Sequence, residues 1–328
     1  MSVNIFVWLL ATVLLTAVSP AEAQQPKKIP VIGVAGPASR SVDIVRQGLR
    51  DLGYVEENNL QIVYRNVERN TDRISDLVTE LVKLKVDVLV VSGGAAVRAA
   101  KQATKTIPIV MRLNEDPVAI GLVDSLARPG GNLTGVASLT RELSGKRLEL
   151  FKELAPSISR VGIFWIRPSR LGLGRAFQHY EAPAQALGIE LQSLQMQRPN
   201  PDLEGAFRAA IKARVNGVIA VTNSVLNPHA KKVANFAIKN RLPLMAEGSR
   251  RVEEGALFSY DSDVAALYRR VAVYVDKILK GRKPADLPVE QPIKFELVIN
   301  LKTAKQIGLT IPPNVLVRAD RVIQDAPR

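Results

Sequence analysis

The chain has 328 residues, with 45 Lys and Arg against 31 Asp and Glu, a formal net charge of +14 and no Cys. Without Cys there is no disulfide, no thiolate nucleophile, no Cys-ligated metal and no lipid anchor on an N-terminal Cys. No five basic residues are consecutive and aromatic residues make up only 5%, so the positive balance points to a solvated basic surface and not to a nucleic-acid groove.

Ile5 to Val18 is an almost unbroken apolar run, shorter than the about 20 residues a membrane span needs. Ser19-Pro20 ends it, and Ala21-Glu22-Ala23 carries small residues at the spacing of a secretory cleavage site. Residues 1–23 are therefore predicted to be a signal peptide and the mature chain to be periplasmic, although Met1 to Asn4 lacks the usual Lys or Arg; an uncleaved anchor is the alternative. The remaining chain is long enough for two domains and has no other apolar stretch of spanning length.

From Ile29 onward short apolar runs alternate with amphipathic segments. Pro30 to Ala35 reads as a strand buried on both faces, followed by the small-residue loop Gly36 to Ser39. A helix then carries Val42, Val45, Leu49 and Leu52 at helical spacing and stops at Gly53. Next come a strand from Leu60 to Tyr64, a helix from Thr71 to Leu84 and a strand from Val86 to Val91. Ser92-Gly93-Gly94 turns the chain into a helix from Ala95 to Thr104, and Ile107 to Met111 and Leu133 to Ala137 are strands.

The pattern then restarts. Helices are predicted over Leu143 to Leu154, Gly174 to Leu187, Asp202 to Arg214, Pro228 to Asn240 and Val264 to Lys280. The strands between them are Arg160 to Ile166, Ile189 to Leu194, Gly217 to Val221, Leu242 to Ala246 and Ala256 to Tyr260. Strands separated by single helices make parallel sheets with right-handed crossovers. Two such runs make an α/β protein of two Rossmann-like lobes. In open parallel sheets ligands sit beyond the carboxyl ends of the strands, so two facing lobes enclose a central cleft.

Catalytic motifs are missing from this frame. His179 and His229 lie in different predicted helices with no metal-ligand spacing. There is no G-x-S-x-G elbow and no phosphate-binding G-x-x-x-x-G-K-[ST] loop. Gly33 to Ala38 lacks the G-x-G-x-x-G spacing, and Pro37 removes an amide where a pyrophosphate would sit. No cofactor and no metal are expected, which leaves loops of small and hydroxyl residues at strand ends: Gly36 and Ser39, Gly93-Gly94-Ala95, Asn114 and Asp116, Arg167 and Ser169, Asn223-Ser224, and Glu247. The glycines before the helix at Ala95 offer unpaired amides for a ligand carboxylate, with a plain tight turn as the alternative. Arg167 is either a carboxylate partner or a surface charge. Glu247 and Asp116 either hold a ligand amine or cap a helix. Trp165, beside Phe164, reads as core.

Several stretches are similar to one family. They are Arg46 to Glu56 (RQGLRDLGYVE), Asp116 to Val123 (DPVAIGLV), Leu126 to Val136 (LARPGGNLTGV), Lys146 to Leu150 (KRLEL) and Lys294 to Ala304 (KFELVINLKTA). Together they resemble the ABC-transporter substrate-binding proteins that include tryptophan- and tyrosine-binding receptors, built on the type I periplasmic-binding-protein fold. The resemblance implies lobes that exchange chain segments, with residues 29–138 plus 262–291 in one and 139–261 plus 292–328 in the other. Crossings would lie near Ser138-Leu139-Thr140, Ser259-Tyr260-Asp261 and Val289 to Pro292, which adds Tyr260 to the candidate ligand contacts. It also implies a monomer that holds a small, carboxylate-bearing molecule and delivers it to an inner-membrane permease. Reading the residues alone, a ligand-sensing module for a membrane receptor, or a Rossmann-type enzyme, are the alternatives. The sequence departs from the family pattern at Ala95-Ala96, where a hydroxyl is usual, at Asp261, where Gly is usual, and at Arg167 to Arg170, where an Asn-Pro-rich loop is usual.

Overall fold

The computed structural model of the chain describes residues 28–36, 39–66, 73–138, 142–166, 177–197, 200–221 and 226–324. Among these the first run of elements is β1 (Val31–Gly36), α1 (Ser39–Asp51), β2 (Gln61–Asn66), α2 (Ile74–Lys83), β3 (Val88–Ser92), α3 (Gly94–Ala103), β4 (Ile109–Leu113) and β5 (Leu133–Ala137). The strands form a parallel sheet in the order β2-β1-β3-β4-β5. Because β3 and β5 are buried along their whole length, helices must cover both faces of the sheet. Leu89, Val91, Ile109 and Met111 pack under α2 and α3. Val88, Val90 and Val110 face the other way, against Val42, Val45 and Leu49 of α1.

The second run comprises α4 (Ser144–Leu154), β6 (Arg160–Ile166), α5 (Gln178–Ala186), β7 (Glu190–Met196), α6 (Leu203–Lys212), β8 (Gly217–Ala220), α7 (Ala230–Lys239), β9 (Leu244–Ala246), α8 (Ser249–Glu253) and β10 (Phe258–Ser262). The chain then passes through α9 (Val264–Leu279) and ends with β11 (Phe295–Asn300), α10 (Leu301–Ile307), α11 (Pro313–Leu316) and β12 (Arg321–Ile323). The second sheet runs β12-β11-β10-β9-β8-β6-β7. Helices α4 and α5, with α10 and α11, cover one face over Val161, Ile163, Ile219 and Met245. Helices α6 and α7 cover the other over Phe164, Val218 and Leu244. Asp202, Asp263 and Asn300 cap α6, α9 and α10, each accepting a hydrogen bond from the backbone amide three residues on.

Helix α9 follows β10 of the second sheet yet packs on the first. Leu267, Val271 and Val275 join the apolar layer of α1, and a Cβ on Gly48 of α1 would lie 2.8 Å from the Ala272 methyl, so the two helices meet at a glycine. The return strand passes the edge of β5: the amide of Glu290 donates to the carbonyl of Gly135, and the amide of Ala137 to that of Glu290. The chain re-enters the second sheet from the first sheet's side, which is why β11 runs antiparallel to β10. That pair corrects the expectation of purely parallel sheets.

Predicted boundaries hold to within a few residues, and β6 matches residue for residue. Two shifts matter for the site: β3 extends to Ser92 and β4 to Leu113, which draws Arg112 into the sheet. A 3-10 turn over Asn227–His229 opens the helix predicted from Pro228. No helix among the described residues is long and apolar enough to cross a membrane.

Candidate functional site

At the carboxyl edge of the first sheet, Gly93 links β3 to α3 with φ +89°, a conformation open to glycine at little cost. Its amide donates to the carbonyl of Arg112 at 3.0 Å, so one of the three donors expected for a ligand is already spent in the sheet. Glu115 and Arg98 cover the next residue: a Cβ on Gly94 would lie 2.8 Å from Glu115 Oε2 and 3.3 Å from Arg98 Nη1. The start of α3 therefore has a carboxylate of the chain itself beside it, where the helix dipole favours negative charge. Ala95 continues the first turn of α3.

The other first-lobe candidates are tied into the fold. Asp116 accepts from the amides of Val118 at 2.8 Å and Ala119 at 3.3 Å, which is the capping alternative and not a free carboxylate. Asn114 Oδ1 lies 3.1 Å from Ser138 Oγ at the end of β5. The Gly36 carbonyl accepts from the Tyr64 hydroxyl at 3.4 Å, and Ser39 begins α1.

Arg112 stands between Ser92 of β3 and Val136 of β5 in register. Its guanidinium lies 5.9 Å over the ring of Tyr268 on α9, and the Tyr268 hydroxyl donates to Ser92 Oγ at 3.2 Å. The buried Nε of Arg112 has no hydrogen-bond partner. Its charge helps to stabilise the Asp261 carboxylate of β10, which puts Arg112 where the two sheets approach each other.

Sequence reasoning missed the centre of the second lobe's edge. Arg147 of α4 is completely buried. Its Nη1 donates to Glu247 Oε1 at 2.8 Å, its Nε donates to the Tyr260 carbonyl at 2.9 Å, and Nη2 lies 3.3 Å from Asp261 Oδ2. The Tyr180 hydroxyl donates to Glu247 Oε1 at 3.4 Å. Burial opposes the guanidinium's charge, but Glu247, Tyr180 and Asp261 outweigh it and strengthen its hold on the proton. Burial pushes the Tyr180 hydroxyl and the Asp261 carboxyl up from their ordinary values, against the pull of Arg147.

Glu247 is thus a partner of Arg147. Tyr260 contributes its carbonyl to Arg147, and its ring packs 6.0 Å from that of Phe295. A signal for this cluster existed: Ser144, Arg147, Leu148, Phe151 and Leu154 form the buried stripe of α4, so a cation falls on an apolar helix face. Arg167, Ser169, Asn223 and Ser224 lie outside the described residues. Among the described residues no three His, Cys, Asp or Glu side chains are grouped to hold a metal ion.

The family model described as ABC transporter substrate binding protein matches residues 28–323. A tyrosine-binding protein from Clostridioides difficile is 27% identical over 281 residues, covering 82% of this chain and 78% of that protein. Among solved structures, a conserved domain protein from Vibrio cholerae superposes with a TM-score of 0.81 at 28% identity, covering 90% of this chain and 100% of that one. A domain from Streptococcus pneumoniae in complex with L-Trp superposes at 0.78 and 26% identity, covering 90% and 99%.

Proposed function

The chain belongs to the family of ABC transporter substrate-binding proteins, and we propose that it captures a small, carboxylate-bearing, amino-acid-like solute in the cleft between its lobes. A protein of this family binds a small molecule without transforming it and works with an ABC permease. The observation that carries the ligand class is that relatives spanning most of this chain are named for tyrosine or hold L-Trp, both carboxylate-bearing amino acids.

In this reading, residues 29–138 with 262–291 move as one lobe and 139–261 with 292–328 as the other. The packing of α9 on α1 and the bonding of Glu290 to β5 support that division. The protein acts as a monomer in the periplasm after loss of residues 1–23, a reading supported by the apolar run and the Ala21-Glu22-Ala23 pattern. Thermal unfolding of the mature protein against the twenty L-amino acids tests the ligand class. A true ligand at 100 times its Kd adds about 2.7 kcal/mol and raises the Tm accordingly. A panel in which no amino acid raises it, while a sugar or a polyamine does, overturns the ligand class.

A further inference from the structure

We infer that Arg112 is the residue that receives the ligand's carboxylate, an assignment that rests on the ligand class proposed above. The two arginines near the junction of the sheets differ in their partners. Arg147 donates to Glu247 and to the Tyr260 carbonyl, and its Nη2 forms an ion pair with Asp261 at 3.3 Å. The Arg112 side chain makes no hydrogen bond or ion pair among the described residues, its Nε is buried without a partner, and its ring contact is with Tyr268. A buried donor left unsatisfied is costly, and native proteins rarely keep one without a use.

The surroundings hold this group in place. Tyr268 is itself fixed by its bond to Ser92, and the strand ladder sets the backbone of Arg112 on both sides. A guanidinium edge offers two parallel N–H donors, which match the two oxygens of a carboxylate. Asp261 is close enough to interact with Arg112 and is itself engaged by Arg147. The rival anion seat, the start of α3, already has Glu115 beside it.

The test measures affinities of mature wild type, Arg112→Gln and Arg112→Lys by calorimetry, with the twenty L-amino acids and their carboxamides as probes. Arg282→Gln, an exposed charge removed far from the site, controls for net charge. For the amino acid that binds wild type most tightly, Arg112→Gln should lose at least tenfold and Arg112→Lys less. The matching carboxamide should bind wild type and Arg112→Gln alike, and Arg282→Gln should behave as wild type. Unliganded Arg112→Gln should melt within about 2 °C of wild type, because the side chain removed makes no hydrogen bond or ion pair among the described residues and only a ring contact with Tyr268. A loss below tenfold in Arg112→Gln overturns the inference and leaves the ligand class standing. If that variant does not fold, undiminished affinity in Arg112→Lys overturns it. A carboxamide that binds wild type as tightly as its acid, or no amino acid binding at all, overturns both.

Discussion

Replacing Arg147 by Met removes the cation from a buried group and leaves Glu247 and Asp261 facing each other without it. The Met side chain fills much of the volume of the arginine stem, so the loss is mainly electrostatic. Two partners lie within 3.3 Å, and breaking such a buried pair from one side costs about 3–5 kcal/mol. In urea unfolding followed by circular dichroism, a loss of that size lowers the midpoint by about 1–2 M. The penalty should also depend on pH. Burial already lifts the Asp261 carboxyl above its ordinary value of 3.8, and without Arg147 it rises further. Above pH 3.8 the folded variant then binds protons that the unfolded chain has released, so its stability relative to wild type falls as pH rises. The penalty is largest near pH 8 and shrinks towards pH 4. Adding Glu247→Gln and Asp261→Asn to Arg147→Met should restore most of the loss, since a neutral replacement of a whole ion group is often tolerated. A penalty below 1 kcal/mol that is the same at pH 4 and pH 8 refutes the argument.

Other perturbations probe the frame around the site. Gly135 has φ +135°, and a Cβ there would lie 2.2 Å from the Met111 carbonyl oxygen, so Gly135→Ala should cost about 3 kcal/mol or more, or yield no soluble protein. Gly188, at φ +63° with open space around it, is the control, and its Ala variant should lose only about 1–2 kcal/mol. Arg270 grips both carboxylate oxygens of Glu290 and holds that carboxyl below its ordinary 4.5. The pair is partly exposed, so Glu290→Gln should cost at most about 1 kcal/mol at pH 7. Because the folded value is depressed, this contribution is present above 4.5 and disappears as pH falls through the folded value, which acid titration of both proteins by fluorescence would reveal. Intact mass spectrometry of periplasmic material should find a chain beginning at Gln24; a membrane-bound product that keeps Met1 contradicts export of a free receptor.

The alternation of strands and helices was legible because parallel strands covered on both faces are continuous apolar runs, as Arg160 to Ile166 shows, and helices between them keep a 3.6-residue stripe. The C-terminal strands β11 and β12 are not legible in the local pattern. Their partners β10 and β11 lie in a sheet that the chain leaves for α9 and re-enters from the first lobe, a pairing that local pattern does not encode. The same limit applied to the site. Glu115 near Gly94 and Arg147 between Glu247 and Asp261 are contacts between distant segments, so Glu247 read as an available carboxylate when its partner lies 100 residues away. Arg112 does leave a trace in the sequence: a cation inside the apolar run Ile109 to Leu113 interrupts a strand that otherwise needs no charge. A strand predicted to end at Met111 leaves Arg112 in a loop, where a charge is ordinary.

Closure of two lobes on a carboxylate-bearing amino acid is the core of this account, and small-angle scattering of the mature protein tests it directly. With the amino acid that stabilises the protein most present at saturation, the radius of gyration should fall below that of the ligand-free protein, as expected for hinge closure around a ligand. An unchanged radius of gyration with the site demonstrably filled contradicts the closing cleft.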